Sequence, residues 1–134
     1  MVEERVVKDQ LTDAMIEAGA EITRKLDEVG LPTDAAFWLF TPDTNEWRLI
    51  FASPDVGTKG PRSVYRRVHD AIEALGQKAA AAPFSVAGVL DANDELVNAL
   101  RTAAHTGAGI SRIRFAKNVV NGRFIEDALL YRVA

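Results

Sequence analysis

The chain has 134 residues, with 16 Lys and Arg against 19 Asp and Glu, and no cysteine. A net charge of −3 and a pI near 5.4 argue against a general nucleic-acid binder, and the lack of thiols excludes disulfides, thiolate nucleophiles and zinc–thiolate sites. With 48% apolar and 26% charged residues, the composition is that of one globular domain with its own core.

Residues 1–30 read as a long amphipathic helix, from about Glu4 to Val29. Val7, Leu11, Met15, Ala18, Ile22, Leu26 and Val29 recur at three- and four-residue steps, forming a single stripe. Gly30 and Pro32 stop it. A stripe this long packs on a sheet or forms the seam of a homodimer. Residues 34–53 then form a hairpin, Ala35–Thr41 and Glu46–Ser53, around a Pro42-Asp43-Thr44-Asn45 loop. Its first strand is apolar on both faces and is expected at the centre of the sheet.

A loop from Ser53 to Gly60 leads into a helix over 61–76, opened by Pro61 and striped by Val64, Val68, Ile72 and Leu75. Residues 84–90 are predicted as a lone strand, and 92–105 as a helix capped by Asp91 or Asn93. Residues 110–133 form a second hairpin, turned by Asn121-Gly122, the pair that supplies two positive-φ positions. If those two residues are the whole loop, Val120 faces Arg123, Lys117 faces Glu126, Phe115 faces Ala128 and Ile113 faces Leu130. Strict alternation then puts Ile113, Phe115, Val119, Phe124, Ala128 and Leu130 on a core face. Arg112, Arg114, Asn118, Arg123, Ile125, Asp127, Leu129 and Tyr131 fall on the other, mostly basic, face.

The order α-β-β-α-β-α-β-β predicts a single α+β domain with three helices and a five-stranded, mostly antiparallel sheet. Two hairpins lie side by side in it, with the lone strand at an edge. The longest apolar run, Ala35 to Phe40, is too short to span a bilayer, and the charged N-terminus lacks a signal-peptide core. No membrane association is expected, and the expected setting is cytoplasmic.

Motifs for chemistry fail on their spacing. Gly107-x-Gly109 has Arg112 at the third glycine position and precedes a strand, the reverse of a dinucleotide cradle. Asp91 to Glu95 lacks the turning glycine and closing glutamate of a calcium loop. His69 and His105 lie on separate predicted helices, so neither a metal site nor a cofactor is expected. Glu126 and Asp127 are adjacent on a strand and point to opposite faces, so they cannot flank one substrate.

Two basic features remain. Lys59, Arg62, Arg66 and Arg67 surround the start of the second helix, where positive charge opposes the helix dipole. Arg112 and Arg114 share a strand face. Both groups are candidate sites for an anionic ligand or an acidic protein partner.

Phe37-Trp38-Leu39-Phe40-Thr41-Pro42, Glu46-Trp47-Arg48-Leu49, Gly60-Pro61-Arg62, Tyr65-Arg66-Arg67 and Asn121-Gly122-x-Phe124-Ile125-Glu126-Asp127-Ala128 together resemble a group of small bacterial proteins. The resemblance implies a bacterial cytoplasmic setting and carries over no catalytic or ligand residue. The sequence favours a non-catalytic interaction or regulatory module. A small-molecule or anion-binding sensor domain is the alternative, and a hydrolase with a spatially assembled site ranks third.

Overall fold

The Thr12 hydroxyl accepts from the Met15 amide at 3.1 Å, and this cap starts the first helix, α1 (Asp13–Glu28). The structure, a computed structural model, describes residues 7–134. The part of the predicted helix within residues 1–6 lies outside the described residues, and Val7 to Leu11 are not helical. A capping threonine competes with helix continuation and wins over the apolar period running through it. Gly30, at φ +80°, closes the helix where expected.

The remaining elements are β1 (Ala35–Thr41), β2 (Glu46–Ser53), α2 (Asp55–Lys59), α3 (Pro61–Leu75), β3 (Ala87–Asp91), α4 (Glu95–Ala103), β4 (Ile113–Val120) and β5 (Arg123–Val133). The fold is α+β, and its sheet runs β3-β2-β1-β5-β4. The two hairpins are neighbours, and β1 is central. Every pairing is antiparallel except β2 with β3, which are parallel and joined by the α3 crossover.

Three further differences from the sequence reading lie in the middle of the chain. The predicted loop after Ser53 contains the short helix α2, so there are four α-helices among the described residues; Ser53 Oγ accepts the Asp55 amide at its start. Phe84–Val86 is a 3₁₀ turn, and the strand begins only at Ala87. The cap of α4 is Asp94, which accepts from the Leu96 amide at 2.8 Å, while Asp91 closes the preceding turn on Asn93.

The sheet is covered on both faces. Ala36, Trp38, Phe51 and Tyr131 pack beneath α1 and α3, while Phe37, Leu130 and Val133 pack beneath α4 through Val97 and Leu100. The apolar stripe of α1 is used inside this monomer: Ala18, Ile22 and Leu26 are buried. Gly19 brings the helix close to the sheet, so that a Cβ there would collide with the Tyr131 hydroxyl oxygen. That hydroxyl accepts from the Trp38 indole at 2.8 Å and donates to the Ile16 carbonyl at 2.6 Å.

Strand β5 departs from alternation twice. Against β1, Ala36 pairs with Arg132 and Phe37 with Leu130, leaving Tyr131 as an extra residue. This bulge turns Tyr131 and Arg132 to the same side. Arg132, almost fully buried, thereby reaches Asp27 of α1 through two nitrogens at 2.9 and 2.7 Å.

The second departure corrects the sequence reading. The β4–β5 register is as expected, with Val120 opposite Arg123, Phe115 opposite Ala128 and Ile113 opposite Leu130. The ladder skips Lys117 and Glu126, however; Lys117 sits at φ +50°, and the expected ion pair between them is not made. A left-handed residue inside a strand reverses the pleat, so the faces exchange beyond it. Val120 and Ile125 are buried against α4, while Val119 and Phe124 are 67% and 57% exposed.

Candidate functional site

Four side chains form a row across the sheet on the α1 face: Trp47 on β2, Phe40 on β1, Asp127 on β5 and Arg114 on β4. Trp47 and Phe40 are paired residues of the first hairpin, with ring centroids 5.4 Å apart. Arg114 grips Asp127 with Nε at 2.7 Å and Nη2 at 2.6 Å, and its guanidinium lies 5.5 Å from the Trp47 ring centroid. The helix α1 starts too late to cover this row. Its cover is the non-helical segment Val7–Thr12.

Lys8 of that segment enters the row. Its ammonium donates to Asp127 Oδ2 at 2.5 Å and stands 4.9 Å from the Phe40 ring centroid and 5.5 Å from that of Trp47. Cation–ring contacts of this kind contribute about 0.5–2 kcal/mol, more as water is excluded. The segment's backbone is held as well. Asn45 donates to the Val7 carbonyl at 2.9 Å and accepts the Asp9 amide at 3.0 Å, and the Trp47 indole donates to the Asp9 carbonyl at 2.8 Å. Asn45 is aimed by its left-handed backbone, φ +54°, which asparagine tolerates in a hairpin loop. A groove of about 560 Å³ opens alongside, between Trp47, Arg114 and residues 8–13.

Asp127 is 4% exposed and carries two cations. The hydrogen bonds from Arg114, against the opposing effect of burial and helped by Lys8, hold its carboxyl down at about 2. A carboxylate fixed in its ionised form stores no proton for acid catalysis; it is an anchor for cations. On the same face the Tyr131 phenol is pushed upward by burial and stays protonated as the bridge between β1 and α1.

The basic residues singled out in the sequence divide. Arg112 makes two bonds to Glu17, at 2.6 and 3.1 Å, and Arg114 is spent on Asp127. Lys59 pairs with Asp55 at 3.5 Å, and Arg67 donates to the Val29 carbonyl at 2.6 Å. Arg62 and Arg66 are exposed and have no ion-pair partner among the described residues. Asp70, four residues after Arg66 on the same helix, stands 3.7 Å from His69. The two clusters are not brought together: they meet α1 at Glu17 and at its Val29 end, about 18 Å apart along the helix.

Sequence reasoning missed Lys8, Asn45, Trp47 and Asp127 as one site. Two signals were available: the aromatic cluster of the first hairpin, which core packing also explains, and the placement of Arg114 diagonal to Asp127, which the hairpin register already implied. Among the described residues, no three His, Asp or Glu side chains stand where they could hold a metal ion, and no helix is long and apolar enough to cross a membrane. No family model, curated protein or solved structure matches the chain.

Proposed function

We propose that the protein is a non-catalytic interaction module that presents its β4–β5 hairpin to another chain, with a second copy as the first occupant. One observation carries this reading. Strand β4 ends the sheet, no described residue pairs with its outer edge, and three large apolar side chains on this hairpin are exposed: Ile113 at 40%, Val119 at 67% and Phe124 at 57%. An unpaired edge bearing apolar residues is a template for strand addition. Val119 and Phe124 are cross-strand partners, so a two-fold axis beside them would bury both copies of the pair at once. Because the α1 stripe is buried internally, self-association is assigned to the hairpin and not to the first helix.

Sedimentation velocity from micromolar to hundreds of micromolar tests it. A mass shift toward a dimer is expected, and Phe124→Asp should abolish it without lowering Tm. A monomer at every concentration would overturn self-association at this edge.

The anion-sensor reading keeps one specific support, the two arginines at the start of α3 without acid partners among the described residues, where the cap residue Gly60 offers no side chain. Arg62 and Arg66 lie four apart on one helix face and repel by a few tenths of a kcal/mol. Phosphate or sulfate should raise Tm in the parent, and Arg62→Ala with Arg66→Ala should remove the response. Equal responses in both proteins would leave these arginines as ordinary surface.

A further inference from the structure

We infer that the groove over Trp47 is a docking site for a lysine-bearing extended segment of a partner protein, and that Val7–Gln10 occupies it in cis as an internal competitor. This goes beyond self-association at the hairpin and does not depend on it.

The contacts divide as they do in peptide recognition. Asn45 and the Trp47 indole read only backbone, taking the carbonyl of Val7 and the amide and carbonyl of Asp9. Any extended strand offers those groups. Selectivity comes from one place, the pocket of Phe40, Trp47 and Asp127, which takes a cation on an unbranched stem. No other side chain in the segment is read: Val7 is 79% exposed, and Asp9 and Gln10 are exposed as well.

The same facts make the resident segment displaceable. Val7 to Gln10 buries no apolar side chain, so a few hydrogen bonds and the contacts of the Lys8 ammonium hold it to the sheet. When it leaves, Asp127 keeps both bonds from Arg114, and no buried charge is left without a partner. What becomes accessible is an aromatic floor, Phe40 and Trp47, beside the carboxylate of Asp127. That surface suits a lysine. A second copy would bring the same segment and gain nothing over the resident one, so the occupant is a different chain.

The test follows the Trp47 indole N–H by NMR in the full chain, because that proton reports the bond to Asp9. Lys8→Ala should shift the resonance. An end-blocked peptide reproducing residues 7–12 should then return it toward the parental position in a saturable way. Half-saturation in Lys8→Ala should need about tenfold less peptide than in the parent, whose own segment competes at high effective concentration. Alanine in place of the peptide's lysine should weaken binding by about tenfold or more. Asn45→Ala, which loosens the segment from the other side, should behave like Lys8→Ala in moving the parental resonance. The proposal is overturned if Lys8→Ala leaves the resonance in place, if the two peptides act alike, or if parent and variant bind equally. A parental dimer that Lys8→Ala converts to monomer would also overturn it, since a second copy would then be supplying the segment.

Discussion

Gly19 and Asp127 show how much a single position decides. Glycine inside a helix costs up to about 1 kcal/mol relative to alanine, so Gly19→Ala would stabilise an isolated α1. In the folded chain the added methyl would collide with the Tyr131 hydroxyl and lie 2.7 Å from the Trp38 indole nitrogen. Neither group can retreat, because each is the other's hydrogen-bond partner. Gly19→Ala should therefore lower stability by about 1–3 kcal/mol in urea titrations, the usual range for overpacking; a gain would mean that α1 can lift from the sheet. Asp127 makes a different prediction. Its folded pKa of about 2 lies below its ordinary 3.8, so its stabilisation is complete above roughly pH 4 and is lost as pH falls toward 2. The amount is about 2 kcal/mol. Stability measured from pH 7 to 2 should show that acid limb in the parent, and Asp127→Asn should flatten it. An unchanged limb would assign the acid sensitivity to other carboxylates.

The final hairpin shows how far an element can be read before it is seen. Asn121-Gly122 specified the turn, and the turn specified the register on both sides of the skipped Lys117 and Glu126, down to Ile113 with Leu130. The burial of half the hairpin was not legible, because alternation holds only while each residue keeps an extended backbone. Lys117 does not, and no property of a lysine in the sequence announces φ +50°. The exchange of faces has a direct test. Phe124→Ser should change stability by no more than about 0.5 kcal/mol, whereas Ile125→Ser should cost about 2–4 kcal/mol in chemical denaturation. Unbroken alternation would demand the opposite order. The first helix taught the same lesson from its other end. Its apolar period extends to Val7, but Thr12 has a hydroxyl suited to capping, and the local hydrogen bond stops the helix there.

At the scale of the whole molecule, the layout was visible because hairpins and amphipathic stripes are local. The double-faced apolarity of Ala35 to Phe40 placed β1 at the centre, and the sheet order agrees. The site was not visible, since its parts come from β1, β2, β4, β5 and a segment before α1, and no spacing in the chain links Lys8 with Asp127. The basic residues were conspicuous in the sequence for their charge, yet four of the six turned out to be fastened to the protein itself. Charge density along a chain does not reveal which charges fold back on each other.

The pairing of the central strand with β5 also sets the order of assembly. Each hairpin closes over a few residues and can form within microseconds. Bringing β5 beside β1 joins distant residues such as Trp38 and Tyr131, separated by 93 positions. On a ribosome adding about 5–20 residues each second, β1 waits several seconds or more for that neighbour to be made. Throughout that interval its open side, Ala-Ala-Phe-Trp-Leu-Phe, is an invitation to pair with the wrong nascent chain. Yield in the cell will thus follow how fast translation completes β5, or how well a chaperone shields β1, more closely than it follows the stability of the finished protein.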